Sequence, residues 1–150
     1  FEDGGAVGFG DSEWIGRECR MPSLSGRKVA QAAAGGQHFL LVFEDGSVAA
    51  CDANHCGQCS VPPLKGRKVV YSAAGTNHTV LVLDDGSAIA FGGESGRCPK
   101  HGQCTIPALG GRKVREASAG SGHTLLVLDD GSAVAFGDNR NGQCDIPSLG

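Results

Sequence analysis

A chain of 150 residues with a net charge of −3 is the size of one ordinary domain and lacks the basic excess of phosphate-contacting nucleic-acid binders. Forty percent of the residues are apolar and 19% charged, which excludes a disordered chain, and no apolar run reaches the roughly 18 residues that span a bilayer. Glycine stands at 25 residues, against a usual ~7% share, without a Gly-X-Y period; collagen is excluded and many short elements joined by tight turns are expected.

From Asp3 to Leu24 the chain repeats the second half of a unit that then follows three times in full, over Gly26 to Leu64, Gly66 to Leu109 and Gly111 to Leu149. Each copy opens on Gly-Arg-Lys-Val and runs through small residues to Ala-Gly, two further residues and a histidine. These histidines, His38, His78 and His123, are spaced 40 and 45 residues apart, and so are the turn glycines Gly46, Gly86 and Gly131. The five extra residues of the second interval lie between Phe91 and Cys104. A period of this length means a solenoid, a propeller or an array of supersecondary units.

The content of one unit decides among these. Val69-Val70-Tyr71-Ser72 reads as a first short strand and His78 to Leu83 as a second, rich in β-branched residues. Asp84-Asp85-Gly86-Ser87 is a hairpin, with glycine at the positive φ of a tight primed turn, and Ala88 to Phe91 is the returning strand. Cys104-Thr105-Ile106 reads as a fourth strand, closed by a proline at 62, 107 or 147, where a missing backbone donor is tolerated on an edge. The hairpin strands are apolar on both faces, which fits sheets stacked face to face. The expectation is an all-β fold of propeller blades with four short antiparallel strands each, a partial blade at 1–25 and full blades at 26–65, 66–110 and 111–150. Three and a half blades do not close a ring, since propellers need about 4 to 8. The chain is therefore expected to be part of a longer protein or to complete its ring by self-association.

Ala74-Gly75-Thr76-Asn77-His78-Thr79-Val80, Asp85 to Gly92 and Phe136-Gly137-Asp138-Asn139-Arg140-Asn141-Gly142-Gln143 resemble the repeat of the regulator-of-chromosome-condensation superfamily. The WD repeat has a similar period, but its Trp-Asp ending is absent and Trp14 lies in a loop. The resemblance implies a seven-bladed ring, and the short unit is similar to that of a compact bacterial branch that includes a β-lactamase inhibitor. It also implies three roles beside a plain interaction scaffold: the partner-binding propeller of a HECT-type ubiquitin ligase, guanine-nucleotide exchange on a small GTPase, and enzyme inhibition. The exchange role depends on a wedge protruding from the ring, and the insertion here is only the short Ser95-to-Pro99 stretch.

The residues offer no catalytic set. His38, His78 and His123 recur at one position per blade, so they stand apart around the ring and are read as buried histidines bonded to backbone at strand starts. Seven cysteines leave at least one unpaired, and their repeat-bound spacing reads as reduced thiols of an intracellular, cytoplasmic or nuclear protein. The segment from Cys51 to Cys59 has the density of zinc ligands, yet Cys51 fills the slot of Phe91 and Phe136, and Cys59 is the repeat cysteine. Only His55 and Cys56 are additions, so neither a metal site nor a cofactor is expected. The Arg-Lys pairs at 27, 67 and 112 are expected on one face with the acidic turns, forming ion pairs between blades and leaving no surface for nucleic acid or membrane.

On the opposite rim the copies stop agreeing, and divergent loops on a repetitive scaffold are where recognition is built. The candidate contacts for a protein partner are Trp14, Ile15, Arg17, Asn54, His55, Arg97, Lys100, His101, Asn139, Arg140 and Asn141. Catalysis is not expected of this chain.

Overall fold

The computed structural model describes residues 23–93 and 98–147. Nine strands occur among them: β1 (Val29–Ala34), β2 (His38–Phe43), β3 (Val48–Asp52), β4 (Val69–Ala74), β5 (His78–Leu83), β6 (Ala88–Gly92), β7 (Val114–Ala119), β8 (His123–Leu128) and β9 (Ala133–Gly137). They form three antiparallel sheets of three strands in the orders β1-β2-β3, β4-β5-β6 and β7-β8-β9, and no described residue is helical. The fold is that of β-propeller blades. Among the described residues, no helix is long and apolar enough to cross a membrane.

Each blade therefore has three laddered strands where four were expected. Residues 104–106 enter no ladder because the segment is held by local bonds: Thr105 N donates to Gly102 O at 2.9 Å, and the Cys104 thiol to Gly92 O at 3.3 Å. The hairpins also differ in detail. Gly86 N closes a turn onto Leu83 O, and Gly86 itself carries the positive φ of 82° one position after the two acidic residues, so the turn is unprimed with glycine as its bulge residue. The Asp85 carboxylate fastens this loop, accepting from Ser87 N at 2.9 Å and Ser87 Oγ at 2.5 Å. The first strand of every blade carries a second bulge, between Val29/Gln31, Val69/Tyr71 and Val114/Glu116. Val70 is the bulged residue of its blade, which is why a valine stands 54% exposed.

The core lies between blades. Along β5, Val80 and Val82 pack with Val114, Leu126 and Leu128 of the third blade, while Leu81 and Leu83 pack with Leu40 and Val42 of the first. All six residues of β5 are buried, whereas β8 alternates buried and half-buried positions. Each aliphatic side chain so covered contributes about 1.5–3 kcal/mol, so both faces of the middle blade are tied into the stack.

At the end of the blades bearing the acidic turns, consecutive units are joined through backbone. Val69 N donates to Gly46 O at 2.9 Å and Val114 N to Gly86 O at 2.8 Å. A Cβ on Gly86 would stand 2.6 Å from that of Lys113, so a glycine is needed there for close approach as well as for φ. The arginines do lie beside the acidic turns, but their ion pairs run within blades and not between them: Arg67–Asp85 at 3.7 Å and Arg112–Asp130 at 3.9 Å. The guanidinium is drawn back by its own blade, where Arg67 also donates to Ser87 Oγ at 3.1 Å, and it is steadied by Leu64 O of the preceding segment at 3.0 Å.

Candidate functional site

The Gly-x-x-His element places each imidazole against a glycine and aims it at the next blade. A side chain on Gly75 would overlap the His78 ring and stand 2.6 Å from the carbonyl oxygen of Gly120 in the following blade. Thr79 Oγ1 donates to Gln58 O at 2.7 Å and lies 2.8 Å from His38 Nε2. Thr124 Oγ1 donates to Gln103 O at 2.8 Å and lies 3.0 Å from His78 Nε2. A hydroxyl has one proton, and here it goes to the carbonyl, so the imidazole must be the donor and carries its hydrogen on Nε2. The Nδ1 atoms of His38 and His78 are left buried without a partner. A second proton would have to sit there, and burial accordingly lowers the pKa of both rings, for His78 to about 4, aided by repulsion from His38 and His123. At His38 the Asp52 carboxylate partly opposes the effect. His38 and His78 are thus buried at strand starts as expected, but their partner is a threonine hydroxyl of the neighbouring blade and not backbone, while His123 is half-buried.

The rim loops share one frame. Asn54 Oδ1 accepts from Cys59 N and Asn139 Oδ1 from Cys144 N, each at 2.8 Å. Gln58, Gln103 and Gln143 accept through Oε1 from the backbone N of Cys56, His101 and Asn141, at 2.8, 2.7 and 2.9 Å. The repeat cysteines complete it by donating to backbone, Cys59 to Ala53 O at 3.2 Å and Cys144 to Asp138 O at 3.4 Å. Burial, with Cys51 and Asp52 nearby, pushes the Cys59 thiol up to about 11, so it remains a donor. Asn54 and Asn139, taken as contact residues from the sequence, hold their own loops together.

What the frame displays differs from blade to blade. The first loop presents exposed His55. The second presents Lys100 and sets His101 over Gly122 of the third blade. The third presents Asn141 and Arg140, whose guanidinium pairs with Asp138 at 2.7 Å. Hydrogen bonds from Arg140 hold the Asp138 carboxyl far below the usual range, with His101 adding to the effect. Trp14, Ile15, Arg17 and Arg97 lie outside the described residues.

One pairing escaped sequence reasoning. Cys56 and Cys98, 42 residues apart, form a disulfide with Cα atoms 6.0 Å apart, joining the first rim loop to the second. The expectation of reduced thiols throughout is wrong for these two. The available signal was that both cysteines depart from the repeat, Cys56 as an addition to the first loop and Cys98 within the insertion of the second.

Residues 114–143, from the start of β7 to the rim glutamine, match the model of the Regulator of chromosome condensation (RCC1) repeat. The repeat is of the regulator-of-chromosome-condensation type. No curated protein matches the chain by sequence. Among solved structures, it resembles Prp20p of Saccharomyces cerevisiae, a protein described with its binding to Gsp1p and histones, at TM-score 0.66 and 20% identity over 81% of this chain and 35% of that one. It is also similar to the ectodomain of the Arabidopsis thaliana receptor kinase ACR4, with TM-score 0.64 and 20% identity over 91% of this chain and 44% of the other. Human WBSCR16 follows with TM-score 0.61 and 19% identity, over 74% and 35%. The chain thus spans between a third and a half of the length of these proteins, and at such identity the likeness is one of fold.

Proposed function

We propose that the chain is a non-catalytic protein-interaction scaffold whose contact surface is the rim formed by the loops after β3, β6 and β9. The observation that carries this reading is that one repeated hydrogen-bonded frame displays His55, then Lys100 and His101, then Arg140 and Asn141. Fixed framing with changing side chains suits recognition of a partner. Prp20p, which binds Gsp1p and histones, supports a protein as the class of partner. The three blades act as part of a larger ring, completed by further blades or by a second copy. The half-buried face of β8 supports this, because the matching faces of β5 are fully covered.

Quantitative cross-linking in cells tests the reading. Lys100→Ala combined with Arg140→Ala should weaken capture of the partner at least about tenfold, the effect of losing one or two interface anchors, with the unfolding midpoint unchanged. Unchanged cross-linking would remove this rim as the contact surface. Guanine-nucleotide exchange is a second reading, favoured by the likeness to Prp20p, and acceleration of nucleotide release from a small GTPase would put it first.

A further inference from the structure

His55, Cys56 and Cys98 bring one imidazole nitrogen and two sulfurs to within 4.8 Å of one another. Cys56 and Cys98 are buried, 2% and 8% exposed, while His55 stands at the surface beside them. None of the three belongs to the repeat. Cys59, Cys104 and Cys144 recur at one position in each blade, and their thiols donate to carbonyls there. Of the cysteines outside that position, Cys51 fills the slot of Phe91 and Phe136, while the other two, Cys56 and Cys98, are the two that meet, and the residue next to one of them is the third donor. An imidazole is not needed for a disulfide; two thiolates with an imidazole are a soft donor set that suits zinc and does not suit magnesium or calcium.

We propose that His55, Cys56 and Cys98 form a zinc site that exists only when the Cys56–Cys98 disulfide is reduced. The site is additional to the partner-binding role and does not depend on it. A dithiol reductant gives two electrons and two protons to the S–S bond and is itself oxidised to a disulfide. Zn2+ then displaces the two thiol protons and takes a lone pair from neutral His55. A tetrahedral ion with Zn–S near 2.3 Å needs its thiolates roughly 3.7 Å apart, so the sulfurs separate by only a small movement of the two loops. The fourth position is left to water. In oxidising surroundings the first two blades are joined covalently at the rim; in reducing ones the metal takes over the same join.

The experiment uses the whole chain, reduced with a phosphine and freed of metal, with Zn2+ and then Co2+ as probes. The reduced chain should take up one Zn2+, and Co2+ in its place should show thiolate-to-cobalt charge-transfer absorption; the oxidised chain should do neither. Cys98→Ser or Cys56→Ser should weaken binding at least about 100-fold, since even changes outside the ligand set cost 10–100-fold. His55→Ala should weaken it, while Cys59→Ser and Cys144→Ser should not. Zinc should also shield Cys56 and Cys98 of the unaltered chain from alkylation, a readout that requires no variant to fold. Uptake that survives Cys98→Ser, no stoichiometric uptake by the reduced chain, or equal alkylation with and without zinc would overturn the proposal.

Discussion

The interface between the first and second blades and that between the second and third share one polar relay and differ in most of what surrounds it. In both, histidine donates to threonine and threonine to the backbone of a buried glutamine. In both, the turn glycine of one blade accepts from the first strand of the next. Around this common frame, the first interface adds a disulfide and a side chain that pairs like a strand: Gln31 accepts from Ser72 N at 2.8 Å and donates to Ser72 O at 3.0 Å. The second has Tyr71 packed on an apolar cluster at the position equivalent to Gln31. The relay is what stacking requires, since its glycines and threonines leave no alternative geometry. The rest is free to vary, and this chain has used it to fasten one interface more firmly than the other.

The largest test of that asymmetry is reduction of Cys56–Cys98. Closing a loop of 42 residues is worth about 4 kcal/mol in chain entropy. Reduction without metal should therefore lower the unfolding free energy by about that amount. The loss should be local before it is global, because stacked repeats open at their weakest interface. Amide exchange should accelerate at Gly36 and Val69, which donate across the first interface, more than at Thr76 and Val114, which donate across the second. Equal acceleration at all four would mean that the disulfide does not set the difference.

Acid should break the shared relay. His78 stays neutral in the fold until about pH 4, whereas the unfolded chain takes up the proton near the ordinary 6.5. Between these values the unfolded state binds more protons, so stability is intact above pH 6.5 and falls as pH drops towards 4. The loss is on the order of 3 kcal/mol for this one ring. The His38 pKa is lowered in the same sense, with Asp52 opposing, so the second interface should open at higher pH than the first. Denaturant unfolding across the pH series, with the imidazoles followed by NMR, reads both. A His78 ring that titrates near 6.5 would contradict the relay.

Much of the fold was legible in the sequence because its causes are local. The Asp-Gly-Ser turns, the β-branched runs of β5 and β8 and the doubled apolar faces each follow from a few consecutive residues. The supposed fourth strand at 104–106 was misread because Cys-Thr-Ile-Pro has strand composition, while the bonds that hold it, from Cys104 and Gln103, run to its own loop and to the end of β6. The spacing of Gly75 and His78 was plain, but its reason, an imidazole lying where a Cβ would be, exists only in the stack. Arg67 was correctly set beside acidic turns and then given the wrong one, since only geometry shows that its own blade supplies nearer acceptors. Cys56 and Cys98 come together because of how consecutive blades register, which no reading of one repeat contains. The nearness of His55 to Cys98 has the same origin.

The smallest expected effect isolates the side-chain pairing at the first interface. Gln31→Ala removes the bonds to Ser72 N and Ser72 O at a half-buried position, where water can replace part of what is lost. A hydrogen bond there contributes about 0.5–1.5 kcal/mol net, so a destabilisation of about 1 kcal/mol is expected from denaturant unfolding. Glu116, the equivalent residue of the third blade, is exposed, and Glu116→Ala should change stability by less than about 0.5 kcal/mol. The pair of variants matters more than either alone. If Gln31→Ala costs no more than Glu116→Ala, the polar pairing only accompanies the stack, and the extra strength of the first interface resides in its disulfide. If Gln31→Ala slows hydrogen exchange nowhere and speeds it at Gly36 and Val69, the glutamine acts on the same opening that reduction enlarges, and the two fastenings are parts of one device.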